Sequence, residues 1–316
     1  MIDRACISIN NYCNLNCSYC YFYEREDIHT DKLKCFDAGE LKIIIDNIIE
    51  YINHFNNTDK KFTIGIVGSG EPLLSFNEIK YAAEYIKSNM YDKRLRLYTI
   101  SNGYRMDRGI IDFFYENRDL ISLSFFLDGF KDLHDRFRVK LINGKYVGSF
   151  EKVMESIKYY EELFGNKPAI NCTVSSYTLK FKKQLEEFFL NNKFYNITFS
   201  KIFDVSDDLS ISYDDFDNFV NSFSNDITIR NIEAAKNKKL DCSMYGAVCG
   251  VGITNIFYAN KKIYPCGRFT DNDKFVLANY DEPLYKVEEK YKEEIYKKFD
   301  EIRYNRISFY DTVKKI

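Results

Sequence analysis

The sequence predicts an α/β protein: a partial (β/α)6 TIM-like barrel followed by a small C-terminal unit built on a β-hairpin. Three observations predict it. Short runs rich in β-branched and aromatic residues alternate with longer amphipathic runs, the pattern of parallel βα units. Each long run opens on a Ser, Thr or Asp able to cap a first helical turn. The chain has 316 residues, 45% of them hydrophobic and 17% aromatic, which suffices for a sizeable core.

The first strand is expected over Ala5 to Asn10, and a helix over Asp37 to Phe55 follows it. Strands at Phe62 to Val67, Arg94 to Ile100, Leu120 to Leu127, Ala169 to Val174 and Ile197 to Ile202 come next. Helices at Ser75 to Asn89, Asp107 to Asn117, Ser149 to Phe164 and Thr178 to Asn191 serve as their crossovers. The barrel is thus placed at residues 1–205, a connecting helical segment at 206–240, and the hairpin unit with a C-terminal helix at 241–316. In that last unit Asn255 to Tyr258 and Ile263 to Tyr264 read as two strands around a polar turn at Asn260 to Lys262.

Composition narrows the function. A net charge of −2, with Lys and Arg scattered among Asp and Glu, offers no basic stripe for nucleic acid. The longest apolar stretches, such as Leu41 to Ile52, are too short and too interrupted to span a bilayer, and no signal-peptide pattern opens the chain. A cytoplasmic protein acting on a small molecule or a peptide is expected. Nine cysteines then point to metal or redox use rather than to disulfides.

Three of those cysteines carry the chemistry. Cys13, Cys17 and Cys20 form a C-x3-C-x2-C run. Three thiolates in one tight loop can hold a [4Fe–4S] cluster and leave one iron free for a chelating molecule. A structural zinc site would ordinarily need a fourth Cys or His, and the nearest candidates are Cys35, fifteen residues on, and His29 in a polar stretch. Buried structural thiols are the other alternative, against which the Asn-rich, turn-like setting argues. With Tyr19 just before the third cysteine, the loop resembles that of the radical S-adenosylmethionine (SAM) enzymes. Their fold is a partial (β/α)6 barrel with functional residues at the C-terminal strand ends.

The later motifs follow predicted strand ends. Gly68-Ser69-Gly70-Glu71-Pro72 is similar to the family's Gly-Gly-Glu-Pro motif, with Ser69 in place of one glycine. The resemblance implies that Gly70 lets backbone approach SAM and that Glu71 accepts hydrogen bonds from its ammonium. Ser101-Asn102-Gly103 resembles a Thr-Asn-Gly turn near the SAM site, although Asn-Gly is also an ordinary turn pair. The run from Ser122 through Ser124, Asp128-Gly129 and His134-Asp135 to Arg138 resembles the corresponding segment of peptide- and protein-modifying members. It implies that Ser124 contacts the SAM ribose or carboxylate and that Arg138 pairs with the methionine carboxylate. For His134 and Asp135 a structural role is the expectation.

Beyond the barrel lie Cys242, Cys249 and Cys266 around the predicted hairpin. With Gly267-Arg268-Phe269 and the run Phe275 to Asn279, they resemble the first part of a SPASM domain, or a twitch domain, which carries auxiliary [4Fe–4S] clusters. No cysteine follows Cys266, so at most one auxiliary cluster is implied, with no evident fourth ligand. A zinc knuckle or leftover thiols are the alternatives. Cys6, Cys35 and Cys172 read as packing thiols.

The resemblance as a whole implies reductive cleavage of SAM to a 5′-deoxyadenosyl radical that abstracts hydrogen from a substrate held against it. An external electron donor of flavodoxin or ferredoxin type is implied as well. The expected activity is modification of a ribosomally made peptide by crosslinking, thioether formation or epimerisation. Formylglycine formation by a sulfatase-maturing type of enzyme is a weaker match, because that group has an aspartate directly after the last hairpin cysteine and Gly267 stands here. A barrel starting within ten residues of Met1 leaves no room for a leader-binding domain, so a separate leader-binding protein or the 206–239 segment is expected to supply that role. The alternatives are a twitch-type small-molecule dehydrogenase or cyclase, and a noncatalytic zinc-stabilised binding protein.

Overall fold

Apolar residues at helical spacing on one side of a chain segment, and at every second position of a strand, can be buried together only if helices lie on one face of a sheet. The computed structural model has this arrangement; it describes residues 2–20, 36–54, 61–89, 94–203, 208–236, 254–267, 270 and 273–289. Strands β1 (Arg4–Ile7), β2 (Phe62–Ile66), β3 (Leu95–Ser101), β4 (Ile121–Phe126), β7 (Ile170–Val174) and β8 (Ile197–Lys201) run parallel and adjacent in that order. The expected parallel βα series is therefore present. Strand β9 (Asn255–Ala259) joins the same sheet by pairing parallel to β1, with Cys6 opposite Phe257. Strands β10 (Lys262–Tyr264) and β11 (Ala278–Asn279) extend it antiparallel, so the C-terminal hairpin continues the barrel sheet.

The two faces of the sheet separate cleanly. Ala5, Ile7, Ile64, Leu97, Leu123, Phe125, Ile170 and Phe199 pack in the large core beneath the helices. Alternate residues Cys6, Val67, Ile100, Phe257 and Ala259 form a second, smaller cluster with Tyr264 on the other, concave face.

Helices α1 (Ala38–His54), α2 (Phe76–Asn89), α3 (Arg108–Glu116) and α5 (Phe150–Phe164) match the expected crossovers to within a residue or two. Helix α1 buries Leu41, Ile44, Ile45, Ile48, Tyr51 and Ile52 along one stripe. Asp37 and Glu40 cap it reciprocally through each other's backbone N–H. Asp107 caps α3 by accepting from Ile110 N. Three expected caps differ. Ser75 lies in a 3-10 turn, Pro72–Ser75, whose cap is Glu71. Ser149 precedes α5 but makes no cap bond, because its hydroxyl donates to Arg138 O. The helix expected from Thr178 is two helices, α6 (Ser176–Leu179) and α7 (Lys182–Asn192), and Ser175 is the cap, with Thr178 completing the capping box.

Between β4 and α5 the chain adds α4 (Lys131–Phe137) and an antiparallel hairpin, β5 (Val139–Ile142) and β6 (Lys145–Gly148), which the periodicity did not reveal. After β8 come the short helices α8 (Tyr213–Asn221) and α9 (Ile232–Lys236). Among the described residues no helix is long and apolar enough to cross a membrane.

Candidate active site

Strand β1 stops at Ile7, three residues short of expectation, because the backbone turns to meet the end of β2. Asn10 Nδ2 donates to Glu71 O at 2.9 Å and to Ser75 Oγ at 2.9 Å, and Glu71 N donates to Tyr12 O at 2.9 Å. The cysteine loop is thereby pinned on one side. On the other, Asn16 N donates to Val139 O at 2.6 Å and Ser18 N to Phe137 O at 2.9 Å. Leu15 is buried between them, while Cys13 is exposed and Cys17 and Cys20 are half-buried. None of the three is in a disulfide.

The glycines after β2 serve this pinning. A Cβ on Gly70 would lie 2.1 Å from Asn10 Oδ1 and 2.2 Å from Tyr12 O, and one on Gly68 would lie 2.3 Å from Ser8 Oγ. Close approach is what the motif requires, as the sequence suggests, but the group that approaches is the chain's own cysteine loop.

Glu71, 4% exposed, has a carboxylate already engaged by three protein donors. Oε1 accepts from Leu73 N at 3.1 Å and Ser101 Oγ at 2.8 Å, and Oε2 accepts from Asn102 N at 2.7 Å. Burial raises its pKa and these bonds oppose the rise. Two lone pairs on each oxygen leave one position, on Oε2, for any further donor. Glu71 thus ties the end of β2 to the end of β3. Asn102, so held, sends Nδ2 to Asn14 Oδ1 at 2.8 Å and towards Cys13 Sγ at 3.5 Å.

A second buried knot lies at the end of β4. Asp128 Oδ2 accepts from Arg138 Nε at 2.9 Å and from the Tyr19 hydroxyl, and Oδ1 accepts from Thr173 N at 2.9 Å. Arg138 lies over the rings of Phe126, at 4.7 Å, and Tyr19, at 5.5 Å. Burial works against the charge of its guanidinium, but the Asp128 carboxylate outweighs it and holds Arg138 protonated. Arg138 was expected to pair with a ligand carboxylate; here its Nε is committed to Asp128. The terminal amino groups have no protein partner among the described residues. Tyr19, expected at the cofactor, spends its hydroxyl on Asp128 as well. Ser124 sits half-buried on the concave face of β4, and its hydroxyl is unpartnered among the described residues.

His134 and Asp135 have structural roles. His134 Nδ1 accepts from Asp128 N at 3.2 Å, so Nε2–H points to Ser149 Oγ at 2.9 Å. Burial lowers its pKa to about 4. Asp135 Oδ1 accepts from Phe150 N at the start of α5.

Burial pushes the Cys17 thiol up to about 12 while Arg138 pulls it down, and enclosure of the sulfur by surrounding protein, together with the Glu71 carboxylate, raises Cys13 to about 11 although the residue as a whole is exposed. Neighbouring thiolates raise each other further, so a bound cationic centre is what would stabilise all three as anions. Among the described residues no three His, Cys, Asp or Glu side chains converge on a position for a single metal ion. The fit of the loop to an iron–sulfur cluster rests on its three soft thiol donors.

The sequence profile of the Radical SAM superfamily matches residues 7–188, a stretch holding this loop and both buried knots. The chain belongs to the radical SAM superfamily. Its cofactors are accordingly a [4Fe–4S] cluster and SAM. A cysteine-type anaerobic sulfatase-maturating enzyme of Clostridium novyi (strain NT) is 26% identical over 218 residues, 66% of this chain and 55% of that protein. A serine-type anaerobic sulfatase-maturating enzyme of Bacteroides thetaiotaomicron is 31% identical over 150 residues, 46% of this chain and 33% of that protein. The chain spans about half the length of the curated relatives it matches, or less. Among solved structures, anSMEcpe with bound AdoMet shares the fold with a TM-score of 0.74 at 19% identity, over 90% of this chain and 80% of that one. Streptococcus suis SuiB bound to precursor peptide SuiA gives 0.62 at 16% identity, over 91% and 64%.

The C-terminal rim of this radical SAM enzyme is built differently. Asn260 and Lys261 take left-handed conformations, φ 50° and 60°, in the tight turn between β9 and β10. Cys266 follows β10, half-buried against the concave apolar cluster. A Cβ on Gly267 would lie 2.8 Å from the Phe257 ring. Cys242 and Cys249 lie outside the described residues, as does Cys35; Cys6 and Cys172 are buried packing thiols.

Proposed function

We propose that this radical SAM enzyme modifies a ribosomally synthesised peptide, with Cys13, Cys17 and Cys20 holding the catalytic cluster. The observation that carries the reading is the cysteine loop itself, three cysteines outside any disulfide, pinned between the β2 end and the β5 strand. When bound, the cluster and SAM supply a one-electron reductive cleavage that gives a 5′-deoxyadenosyl radical. The chain's own residues orient and shield that chemistry. Asn102 steadies the loop at Cys13. The terminal amino groups of Arg138 offer a fork for the methionine carboxylate of SAM, with the guanidinium held by Asp128. Ser124 presents a free hydroxyl on the concave face to the SAM ribose or carboxylate. The remaining lone pair of Glu71 accepts from the methionine ammonium, and Gly70 keeps this corner narrow. Tyr19 acts through Asp128. Val67, Ile100, Phe257 and Tyr264 form an apolar wall that excludes water from a radical.

Cys266, with Cys242 and Cys249, is the proposed ligand set for one auxiliary [4Fe–4S] cluster in the 241–316 unit. A separate leader-binding protein and an electron carrier of flavodoxin or ferredoxin type complete the system. Two relatives of the same fold support a peptide substrate, since SuiB is described with precursor peptide SuiA and anSMEcpe with the Cp18Cys peptide. Sulfatase maturation is the second reading, favoured by the curated relatives. Against it stands Gly267, where the Phe257 ring already fills the space that a side chain would need.

The test is mass spectrometry after anaerobic incubation with SAM, reductant and either a sulfatase-derived Cys peptide or a short peptide encoded beside this gene. The reading predicts a modified neighbouring peptide and an unchanged sulfatase peptide. Formylglycine on the sulfatase peptide alone would contradict it.

A further inference from the structure

The β5–β6 hairpin exposes apolar side chains that a free-standing ribbon ordinarily keeps few of. Leu141 is 47% exposed, Val147 45% and Tyr146 69%. A two-stranded hairpin is marginal alone, so this one depends on its base. That base is the cysteine loop. Asn16, between Cys13 and Cys17, donates its N–H to Val139 O and accepts from Leu141 N through Oδ1 at 2.9 Å, acting as a short strand along β5.

Charge distinguishes the same surface. From Arg136 to Phe150 the chain presents Arg136, Lys140 and Lys145 at the surface, with Arg138 buried against Asp128, and has no carboxylate, and from Ala169 to Gln184 it again has none. Arg136 lies over the Tyr177 ring at 4.2 Å, with Lys180 on that ring at 5.6 Å, which adds one more exposed cation, Lys180, at the hairpin's foot. Of the nearby carboxylates, Asp128 is paired with the buried Arg138, Asp135 and Glu151 share the single charge of Lys131, and Asp132 is exposed, so the surface cations Arg136, Lys140, Lys145 and Lys180 still outnumber the uncompensated carboxylates. The result is an apolar knob with a basic rim, hydrogen-bonded to the loop that would receive an electron.

We propose that this hairpin is the docking surface of an acidic one-electron carrier protein of the small flavin- or iron–sulfur-bearing class, an inference resting on the cluster reading above. The carrier gives up one electron, the cluster on Cys13, Cys17 and Cys20 gains it, and no bond changes in that step. Basic charge steers an acidic partner, and a small exposed apolar patch suits a transient complex. A peptide substrate must instead reach the concave face, where the Ser124 hydroxyl is open.

The experiment compares the reconstituted wild type with a K140E/K145E variant and, separately, an L141S/Y146S variant. Each is assayed for 5′-deoxyadenosine with reduced flavodoxin and with dithionite, and for binding of oxidised flavodoxin by calorimetry at low and high salt. The proposal predicts a roughly tenfold weaker affinity and a roughly tenfold slower flavodoxin-driven rate in the charge-reversed variant, with wild-type binding weakened by salt. Dithionite-driven rates should stay level in both variants. Unchanged flavodoxin binding, or equal losses with both reductants, would overturn it. No cleavage with dithionite in the wild type would overturn the cluster reading, and the docking proposal with it.

Discussion

The two rims of the concave face are held by different means. Around the cysteine loop the fixing contacts are polar and buried: Glu71 to Ser101 and Asn102, Asp128 to Arg138, Tyr19 and Thr173, His134 to Ser149. Around Cys266 backbone pairing and apolar packing against Phe257 and Tyr264 are joined by a smaller polar tie, in which Thr270 Oγ1 donates to Gly267 O at 3.1 Å and Asn260 Nδ2 to Thr270 O at 2.8 Å. Buried polar networks fix one geometry because any displaced member is left unsatisfied, whereas apolar contacts tolerate small shifts. The first rim is therefore built to place atoms, and the second to close space.

The sharpest way to break this contrast is Asp128→Asn. It leaves Arg138 buried without its counter-charge and should cost about 3–5 kcal/mol in chemical denaturation, with loss of SAM cleavage. A loss below about 1 kcal/mol would mean the knot is not the anchor of this rim.

The polar rim should also be sensitive to acid. His134 takes a proton near pH 6.5 when unfolded but only near pH 4 when folded, so the unfolded chain gains protons first as pH falls. Its contribution is complete above pH 6.5 and should be lost between pH 6.5 and 4, by roughly 3 kcal/mol. Urea melts across this window check it, and an H134Q variant should have the flatter profile.

Glycines sharpen the comparison. Gly70→Ala drives a Cβ into the backbone of Tyr12 and should cost about 1–3 kcal/mol and lower iron content, since the neighbour cannot yield. The smallest effect belongs to Gly267→Ala, whose Cβ meets only the Phe257 ring. A cost of about 1 kcal/mol with unchanged SAM cleavage is expected. Equal effects at the two glycines would erase the distinction between the rims.

The sequence disclosed the barrel well because its strands and most of its helices are long enough to show their period. Helix α4 has seven residues, too few for a reliable period, and its burial comes from Leu133, His134 and Phe137. The β5–β6 hairpin turns at Asn143-Gly144, φ 50° and 75°, a strong local turn signal, but its strands have four residues each and adjoin the segment whose residues resemble a SAM-binding motif, so no strand period stands out. The split at α6 and α7 follows from Ser175, whose capping bond to Thr178 depends on local geometry rather than pattern.

For the site, residue types were legible and partners were not. The sequence offers Glu71, Arg138 and Tyr19 as SAM-binding residues, and the structure places their side chains in the buried network around the cysteine loop. The bonds of Glu71 to Ser101 and Asn102 span 30 and 31 positions, and those of Arg138 and Tyr19 to Asp128 span 10 and 109, separations that no period of a helix or strand encodes. Asp128 in particular is the centre of the second knot, and an ion pair with Arg138 tying down the loop is the structural alternative that the sequence leaves open for it.

The most direct test of the central claim is the iron and sulfide content of anaerobically reconstituted protein, compared with a Cys13/Cys17/Cys20→Ala variant and coupled to 5′-deoxyadenosine assay. About eight irons per chain falling to about four, with 5′-deoxyadenosine lost, is the predicted result. Zinc without iron, or SAM cleavage that survives in the variant, would contradict it.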